Sequence, residues 1–289
     1  AAQWSSTLER YAYPHIGNLS VADIELAHIV SVLESIWTTK TETASRLRQR
    51  IEAVLTWATV SGYRQGDNPA RWRGNLDAIL PKPTKLKKVQ HFKAIPWREA
   101  GDFYKRLKEL NGTGARALQF TLLTAARSGE IRGAVWDEMD LEARTWTIPA
   151  ERMKVRREHV IPLNDDAIAL LQRLPKHSES HFVFAGARGG MLSDVSVNKA
   201  MRQLSPDATV HGLRSTFRDW CSECTAYPHE VAEMALAHTI NNAVERAYRR
   251  GDLLDKRTRL MADWCNYLNK PAATVIPIRE RAKNGEVKK

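Results

Sequence analysis

The stretch Val210-His211-Gly212-Leu213-Arg214 places a histidine and an arginine three residues apart at the start of a predicted helix. Residues three apart lie on one face of a helix, so the two side chains are expected to lie side by side. Leu236-Ala237-His238 and Ala247-Tyr248 follow downstream, and Arg127 lies far upstream. Two arginines, two histidines and a tyrosine hydroxyl suit attack on a phosphodiester without a metal ion.

Each residue type in this set fits one task in breaking a phosphodiester bond. The reaction needs a nucleophile, cations on the non-bridging oxygens and a proton for the leaving alkoxide. An arginine pairs with two phosphate oxygens and stays charged, which makes Arg127 and Arg214 the candidates for charge neutralisation. A histidine or a lysine can supply the proton. Taken singly, residues such as Tyr248 and His238 are more often ordinary packed side chains, so only their order and context favour the chemical interpretation.

The composition indicates a DNA-binding or RNA-binding protein with real hydrophobic cores. The 289 residues suit two domains, and 44 Lys and Arg against 33 Asp and Glu leave a formal net charge of +11. Such a balance favours a polyanion as partner, nucleic acid before membrane. No apolar run approaches the roughly 20 residues that cross a bilayer, so we expect a soluble, intracellular protein. The chain begins in mid-pattern without a methionine, and we expect a further domain upstream.

The cysteines argue against a disulfide framework and against a zinc site. Three cysteines suit a reducing compartment. Cys221 and Cys224 form a C-x-x-C pair, but no second pair of ligands has matching spacing. Buried thiols on a helix are therefore favoured over a zinc site, and we expect neither a metal nor a cofactor.

Residues 1–80 are predicted to form a helical unit. Ser20 can cap a helix that continues to about Trp37, and a second helix is expected from Thr41 or nearby to Ser61. In the second helix, apolar residues recur at steps of three and four, which is typical of one buried face.

Basic residues of this unit have two possible roles. Arg46, Arg48 and Arg50 lie away from much of the apolar stripe and form either a solvated face or a face that contacts phosphates. Arg71 and Arg73 flank a tryptophan and are further candidates for DNA contact.

A basic linker is predicted at residues 81–94. Pro81 and Pro83 argue against a regular helix, and the charge of Lys85, Lys87 and Lys88 favours a segment that follows a DNA backbone.

The second unit is predicted to span residues 95–270 and to be mostly helical. Thr145–Ile148 and His159–Leu163 are rich in β-branched and aromatic residues and predict two strands of a small antiparallel sheet. The basic stretch Arg152–Arg157 would form the turn between them. Residues 271–289 are expected to be a basic, flexible tail.

Five motifs occur in this sequence in the order that a known enzyme family shows. They are Thr124-Ala125-Ala126-Arg127-Ser128-Gly129-Glu130, Met153-Lys154, His211-Gly212-Leu213-Arg214, Leu236-Ala237-His238 and Ala247-Tyr248. The chain thereby resembles the tyrosine recombinase (phage integrase) family, and among its members the integrases of satellite phages and genomic islands. The resemblance is strong from about Ile95 to Leu268 and looser over residues 1–80.

The resemblance implies a fold and an activity. The fold would be mainly α with a small antiparallel β-sheet, arranged as a two-domain DNA clamp with a helical core-binding domain and a catalytic domain. The activity would be site-specific recombination that integrates or excises a mobile element such as a viral genome, through a 3′-phosphotyrosyl intermediate and without ATP or metal. The partners would be double-stranded attachment sites, further copies of the chain in a tetramer, and DNA-bending or directionality factors. Such integrases usually carry an N-terminal arm-binding domain, and we expect none within these 289 residues. The resemblance also implies a cytoplasmic, nucleoid-associated bacterial protein.

The resemblance also implies a role for each matched residue. Arg127 and Arg214 would hold the scissile phosphate, His238 would hydrogen-bond a non-bridging oxygen and His211 would support proton transfer. Lys154 would protonate the 5′-oxygen and Tyr248 would attack. Glu130 would either orient Arg127 or merely cap a helix.

Some alternatives stay open at this stage. The family often has a glycine after the hairpin lysine, whereas Val155-Arg156-Arg157 follow Lys154 here, so Arg156 is the stand-in for the proton donor. The helix predicted over Leu253–Leu268 would dock on a neighbouring protomer or pack on its own domain. Rival activities are relaxation of supercoils by a type IB topoisomerase and DNA binding without catalysis.

Overall fold

The computed structural model describes residues 2–86, 93–175, 180–238 and 251–270. The chain divides into two compact units, residues 1–91 and 92–289, and each has a hydrophobic core of its own. The described residues are mainly helical with one three-stranded antiparallel sheet, as the sequence predicted. Within these described ranges no helix has the length and apolarity needed to cross a membrane.

Two long helices form the centre of the first unit. Its helices are α1 (Ala2–Tyr11), α2 (Tyr13–Ile16), α3 (Leu26–Trp37), α4 (Thr41–Val60) and α5 (Pro83–Leu86). Leu33 of α3 is fully buried, and so is Leu47 of α4, which starts a row of buried residues at four-residue steps with Ile51 and Leu55. The predicted bounds of α4 are confirmed, since its buried face extends from Thr41 to Ala58.

Two expectations about the first unit were wrong. Helix α3 begins at Leu26 rather than after Ser20, because its cap is formed by Glu25, whose N–H donates to His28 Nδ1 at 3.0 Å. The Ser20 hydroxyl instead accepts from the N–H of Ala22 and closes a turn. The prolines of the predicted linker do not exclude a helix either, since Pro83 is the first residue of α5, where a missing N–H costs nothing.

The arginines of α4 are structural groups. Arg48 is buried and donates to the Ala70 carbonyl at 2.8 Å, and Arg50 is buried and donates to the Gln3 carbonyl at 2.8 Å. These bonds fasten α4 to distant parts of the same unit. The two guanidinium groups are therefore neither a solvated face nor a phosphate-contacting face, whereas the more exposed Arg46 pairs with Glu42.

The second unit wraps helices around the buried helix α7. Its helices within the described ranges are α6 (Ala100–Glu109), α7 (Thr113–Thr124), α8 (Ser128–Arg132), α9 (Asp165–Arg173), α10 (Asp194–Leu204), α11 (Gly212–Cys224), α12 (His229–Ala235) and α13 (Leu254–Asn269). Most of α7 is buried, including Leu118, Phe120 and Leu122. The ends of α7, α11 and α12 supply the residues of the candidate site.

The sheet of this unit positions a basic turn. Its strands are β1 (Met139–Asp140), β2 (Thr145–Ile148) and β3 (His159–Pro162), in that spatial order. Ile148 pairs with His159, so the turn runs from the end of one strand to the start of the other. Arg152 fixes its base because its guanidinium pairs with Glu138 and also donates to the Glu130 carbonyl at 2.6 Å. The two strands predicted from the sequence are confirmed to within one residue.

The last described helix packs on its own unit. Trp264 of α13 is fully buried, and its indole N–H donates to the Leu122 carbonyl of α7 at 2.8 Å. Leu260 and Leu268 are buried on the same side. Of the two positions expected for this helix, the structure has the one within its own domain. The tail predicted at residues 271–289 lies outside the described residues.

Candidate active site

Arg127 enters the site at the break between α7 and α8. Helix α7 ends at Thr124, the next residue Ala125 has a left-handed backbone (φ 52°), and Arg127 then precedes α8. Glu130 accepts the Arg127 backbone N–H at 2.8 Å with one carboxylate oxygen and pairs with its guanidinium at 2.7 Å with the other. The two roles weighed for Glu130 are thus combined in one side chain, which caps the helix and orients the arginine.

A glycine brings the start of α11 close to the chain that leads into the second unit. A Cβ on Gly212 would lie 2.3 Å from the Lys93 carbonyl oxygen, which is too close for any side chain. The Thr209 hydroxyl accepts the Gly212 N–H at 3.0 Å and caps the helix. His211 and Arg214 project from this fixed first turn, where the Arg214 N–H donates to the His211 carbonyl at 3.1 Å.

Main-chain carbonyls hold both guanidinium groups in place. Arg214 is only 5% exposed and donates to the carbonyls of Ala125 and Leu236, the latter at 2.6 Å. Arg127 donates to the Ala237 carbonyl at 3.1 Å. Because Leu236 and Ala237 are consecutive, the two arginines meet on one short segment. Ala237 has a left-handed backbone (φ 47°), as Ala125 does. Two of the three residues whose carbonyls hold the arginines are thus alanines in a conformation that costs about 1–3 kcal/mol.

Arg214 stays charged although it is buried beside the charge of Arg127. Burial, followed by the charge of Arg127, lowers the pKa of Arg214 to about 10. That value still leaves the group protonated at neutral pH. Like charges held together in a buried setting are typical of a functional site, because they leave a place for an anion. We call the pair Arg127 and Arg214 the arginine clamp.

His238 completes the cluster and is oriented by Glu233, a residue that the sequence analysis missed. Its Nε2 lies 3.2 Å from Arg214 Nη2, and its Nδ1 lies 2.7 Å from a Glu233 carboxylate oxygen. The other Glu233 oxygen accepts from Arg218 Nε at 2.5 Å. Partial burial opposes ionisation of Glu233, but the hydrogen bonds with His238 and Arg218 outweigh it and lower the pKa of the carboxyl group. An ionised carboxylate at Nδ1 keeps a proton there and turns Nε2 toward the clamp.

In the strand cleavage that the resemblance to tyrosine recombinases implies, replacing Glu233 by glutamine is expected to slow the reaction by about tenfold to a hundredfold, less than the loss of a direct charge donor. An amide can offer an N–H to Nδ1, which favours the wrong histidine tautomer. Single-turnover cleavage rates measure the effect, with Glu223→Gln as the matched control because Glu223 is an exposed residue of α11. A Glu233→Gln rate equal to that of the control would contradict the orienting role.

Two further histidines near the clamp are held neutral. Partial burial, then the charges of Arg214 and Arg127, lowers the pKa of His211. Burial, then the charge of Arg257, lowers the pKa of His159 to about 4, although a hydrogen bond with the Ala235 backbone opposes the shift. Neutral His211 can accept a proton, whereas His159 adds no charge to the arginines it faces.

His159 should make stability depend on pH. In the unfolded chain its pKa is about 6.5, so between about pH 6.5 and pH 4 the unfolded state binds a proton that the native state does not. The free energy of unfolding should therefore fall by about 3 kcal/mol as the pH drops through that window. His159→Gln should remove this part of the slope in denaturant titrations at several pH values. The exposed His181 supplies the control, His181→Gln, and an unchanged slope for His159→Gln would contradict the assignment.

The structure brings four of the six predicted catalytic residues into one neighbourhood. Arg127, Arg214, His238 and His211 lie together, while Tyr248 lies outside the described residues. Lys154 is exposed in the turn between β2 and β3, and within the described ranges it forms no hydrogen bond or ion pair with the other four.

The turn departs from the family pattern where the sequence indicated. Arg156, one of the residues that replace the family's glycine, adopts φ 49°, the left-handed conformation that favours glycine. Its side chain is exposed, so it remains an alternative to Lys154 as the proton donor.

The predicted DNA-contacting residues that the structure describes are exposed. These are Arg71, Arg73, Lys85 and Arg156, while Lys87 and Lys88 lie outside the described residues. Arg71 pairs with Asp67 at 2.8 Å but keeps about half of its side chain exposed. Trp72 between the two arginines stacks on Trp37 instead of facing solvent.

The cysteines show no metal site. Cys221 is buried, as expected, but Cys224 is exposed, so only one thiol of the C-x-x-C pair is buried. Among the described residues, no group of three or more His, Cys, Asp or Glu side chains is placed to hold a metal ion.

Two family models match this chain, and together they cover both units. The model described as "Phage integrase central domain" matches residues 1–75, and the "Phage integrase family" model matches residues 99–253, more than half of the chain. The chain belongs to the phage integrase family. The second match includes the arginine clamp, His211, His238 and the position of Tyr248.

Curated relatives of this integrase-family chain come from a phage and a prophage. The integrase of Enterobacteria phage P4 is 29% identical over 91% of the chain and 63% of its own length. Prophage integrase IntZ of Escherichia coli K12 is 32% identical over 93% of the chain and 66% of its own length. The chain therefore spans just under two thirds of each of these relatives.

Solved structures of integrases have the same fold. A lambda integrase dimer bound to a COC′ core site has a TM-score of 0.62 at 16% identity, covering 83% of this chain and 87% of that one. The Tn1549 transposon integrase in complex with circular intermediate DNA has a TM-score of 0.59 at 14% identity, covering 88% and 91%. The predicted fold class of a tyrosine recombinase is confirmed by these likenesses.

Proposed function

We propose that this protein is a site-specific DNA recombinase that cleaves and rejoins strands through a 3′-phosphotyrosyl intermediate. The observation that carries the proposal is the arginine clamp. Arg127 and Arg214 are held by carbonyls of adjacent residues, and His238 Nε2 lies 3.2 Å from Arg214. Two guanidinium groups held close together, with the His238 imidazole beside them, suit a phosphate oxygen that gains charge in the transition state.

The proposed reaction conserves the bond energy of the phosphodiester. The Tyr248 oxygen attacks phosphorus and loses its proton, and the bond from phosphorus to the 5′-oxygen breaks. His211, whose pKa is lowered by partial burial and by the nearby arginines, accepts the phenolic proton, and Lys154 donates a proton to the 5′-oxygen. A free 5′-hydroxyl then attacks the phosphotyrosine in the reverse sense and reseals a strand. Neither ATP nor a metal takes part in these steps.

The proposed setting is a mobile element and its attachment sites. Residues 1–80 would bind the core DNA site and residues 95–270 would cleave it, with the basic residues of 81–94 along the DNA backbone. Four copies of the chain would assemble on two duplexes, with DNA-bending or directionality factors as helpers. The integrase relatives from a phage and a prophage support integration and excision of such an element.

A suicide substrate tests the proposal. Binding sites are first selected from a pool of randomised duplexes, and each selected duplex is then nicked at successive positions. When a nick lies just beyond the cleavage point, the short 5′-hydroxyl fragment diffuses away and the covalent complex accumulates. We expect an adduct that survives denaturation, and peptide mapping should find the nucleotide on Tyr248. Binding without any adduct would contradict the recombinase and favour a DNA-binding protein without catalysis.

The proton donor can be identified with a modified leaving group. Lys154→Ala should slow cleavage of ordinary DNA by about 10²-fold or more. A substrate with sulfur at the bridging 5′ position should restore the rate, because a thiolate leaves without a proton. Arg156→Ala is the matched control on the same turn. If the sulfur substrate restores the cleavage rate of Arg156→Ala but not that of Lys154→Ala, then Arg156 is the proton donor.

A further inference from the structure

A buried arginine closes the first turn of α13. Only 2% of Arg257 is exposed, less than for any other charged residue in the described ranges. Its Nε donates to the Asp252 carbonyl at 2.8 Å, Nη2 pairs with the Asp252 carboxylate at 2.6 Å, and Nη1 donates to the Val160 carbonyl of β3 at 2.5 Å. Asp252 in turn accepts the Leu254 N–H at 3.1 Å. The bonds tie the residues just before α13 to the sheet.

This closed arrangement holds a strained residue. Leu253 has a left-handed backbone (φ 56°), which a leucine adopts at a cost of about 1–3 kcal/mol. Such a conformation persists only where neighbouring contacts enforce it. Asp252 directly precedes Leu253, and Arg257 follows it by four residues. The bonds between Asp252 and Arg257 therefore fix the direction of the chain at Leu253.

Asp252 and Arg257, which we call the anchor of α13, line a cavity beside the arginine clamp. The cavity has a volume of about 440 Å³, and its lining includes His159, His238, Asp252 and Arg257. Val160, which Arg257 contacts, follows His159 directly in β3. The anchor of α13 and His238 therefore face the same space.

The anchor matters for the nucleophile because only a short stretch of chain separates Asp252 from Tyr248. Tyr248 precedes Asp252 by four residues, which span at most about 14 Å of extended chain. On its other side Tyr248 is ten residues from His238, a distance of up to about 35 Å. The position of Asp252 therefore restricts the tyrosine far more tightly than that of His238.

We propose that Arg257 and Asp252 are positioning residues that set the reach of Tyr248 to the arginine clamp of its own protomer. The inference rests on the proposed function and adds two residues to it. Reacting atoms must approach to about 3–3.5 Å, and a displacement of about 1 Å can cost 10²-fold in rate. Loosening the anchor should therefore slow the attack and leave DNA binding intact.

Two variants loosen the anchor in different ways. Asp252→Asn keeps the size and removes the charge, and Arg257→Lys keeps the charge and removes the planar fork. On the nicked duplex that gives the highest yield of wild-type adduct, both should reduce the single-turnover cleavage rate by about 10–100-fold. The matched control is Asp255→Asn, which removes an exposed charge from the same helical turn and should cleave at the wild-type rate. If Arg257→Lys fails to fold, the half-exposed Asp252 still decides the test.

A second readout separates positioning from general damage. In a Tyr248→Phe background, affinity for a duplex with a phosphate at the cleavage point is compared with affinity for one with an uncharged methylphosphonate there. The ratio of the two affinities measures how well the arginine clamp binds the phosphate when the tyrosine oxygen is absent. Asp252→Asn should leave the ratio unchanged.

The outcomes distinguish this inference from the proposed function. Equal cleavage by Asp252→Asn and Asp255→Asn would overturn the inference alone. A parallel loss of cleavage and of the phosphate preference would also overturn it, because the damage would then lie in the clamp. Absence of any adduct from the wild-type protein would overturn the proposed function and this inference with it.

Discussion

Replacing Arg214 by alanine is expected to slow strand cleavage by about 10²–10³-fold while DNA binding persists. Arg214 is buried at the end of two carbonyl hydrogen bonds and beside His238, so its charge is aimed at one place. Binding of a long duplex depends instead on many exposed cations spread over the protein. The chemical step should therefore suffer far more than the affinity.

The Arg214 experiment needs a variant that preserves the fold. Arg214→Ala leaves buried carbonyls without a donor, which costs about 1–3 kcal/mol in the free energy of unfolding. Arg214→Lys keeps the charge and loses the fork, so it should fold better and still cleave slowly. Arg106→Ala removes an exposed charge from the same unit and serves as the control. Cleavage by Arg214→Ala within tenfold of that control would refute the clamp.

Replacing Tyr248 by phenylalanine is expected to abolish the covalent adduct altogether. Without the phenolic oxygen no bond to phosphorus can form, whatever the arginines do. The free phenol has a pKa near 10, so less than about 1% is ionised at neutral pH and the wild-type reaction needs the nearby cations or a base. The variant should still bind the selected duplexes, because the oxygen is lost without a change in charge.

The measurement is the yield of adduct on the nicked duplex under denaturing conditions. Tyr227→Phe is the matched control, since its hydroxyl belongs to the same unit but bonds Asp263 at 2.7 Å. That variant should form the adduct as the wild type does. Persistence of an adduct in Tyr248→Phe would mean that another residue is the nucleophile.

Local patterns predicted the helices well, but long-range partners escaped them. The bounds of α4 were predicted correctly because the spacing of its apolar residues depends only on the sequence of that segment. Arg48 and Arg50 were misjudged because their acceptors, the carbonyls of Ala70 and Gln3, lie 22 and 47 residues away. The start of α3 was missed because Glu25 and His28 form the cap in place of the usual serine and glutamate.

In the candidate site, too, the sequence motifs were informative and the long-range contacts could not be predicted. The order of the motifs predicted that Arg127, Arg214 and His238 come together. The carbonyls that hold the arginines have no sequence signature, since every residue has one. Glu233 escaped notice because it reaches His238 across the end of α12, outside the spacing that a regular helix would give. The contacts of Asp252 and Arg257 likewise depend on a left-handed residue that nothing in the sequence marks.

Holding the clamp by main-chain oxygens has an evolutionary consequence. A point mutation can delete a carboxylate but cannot delete a carbonyl, so residues 125, 236 and 237 can change identity without releasing the arginines, provided that the chain path is kept. Neutral acceptors also leave the positive charge of Arg214 uncancelled. A protein lineage built this way can drift widely in sequence and keep its reactive centre.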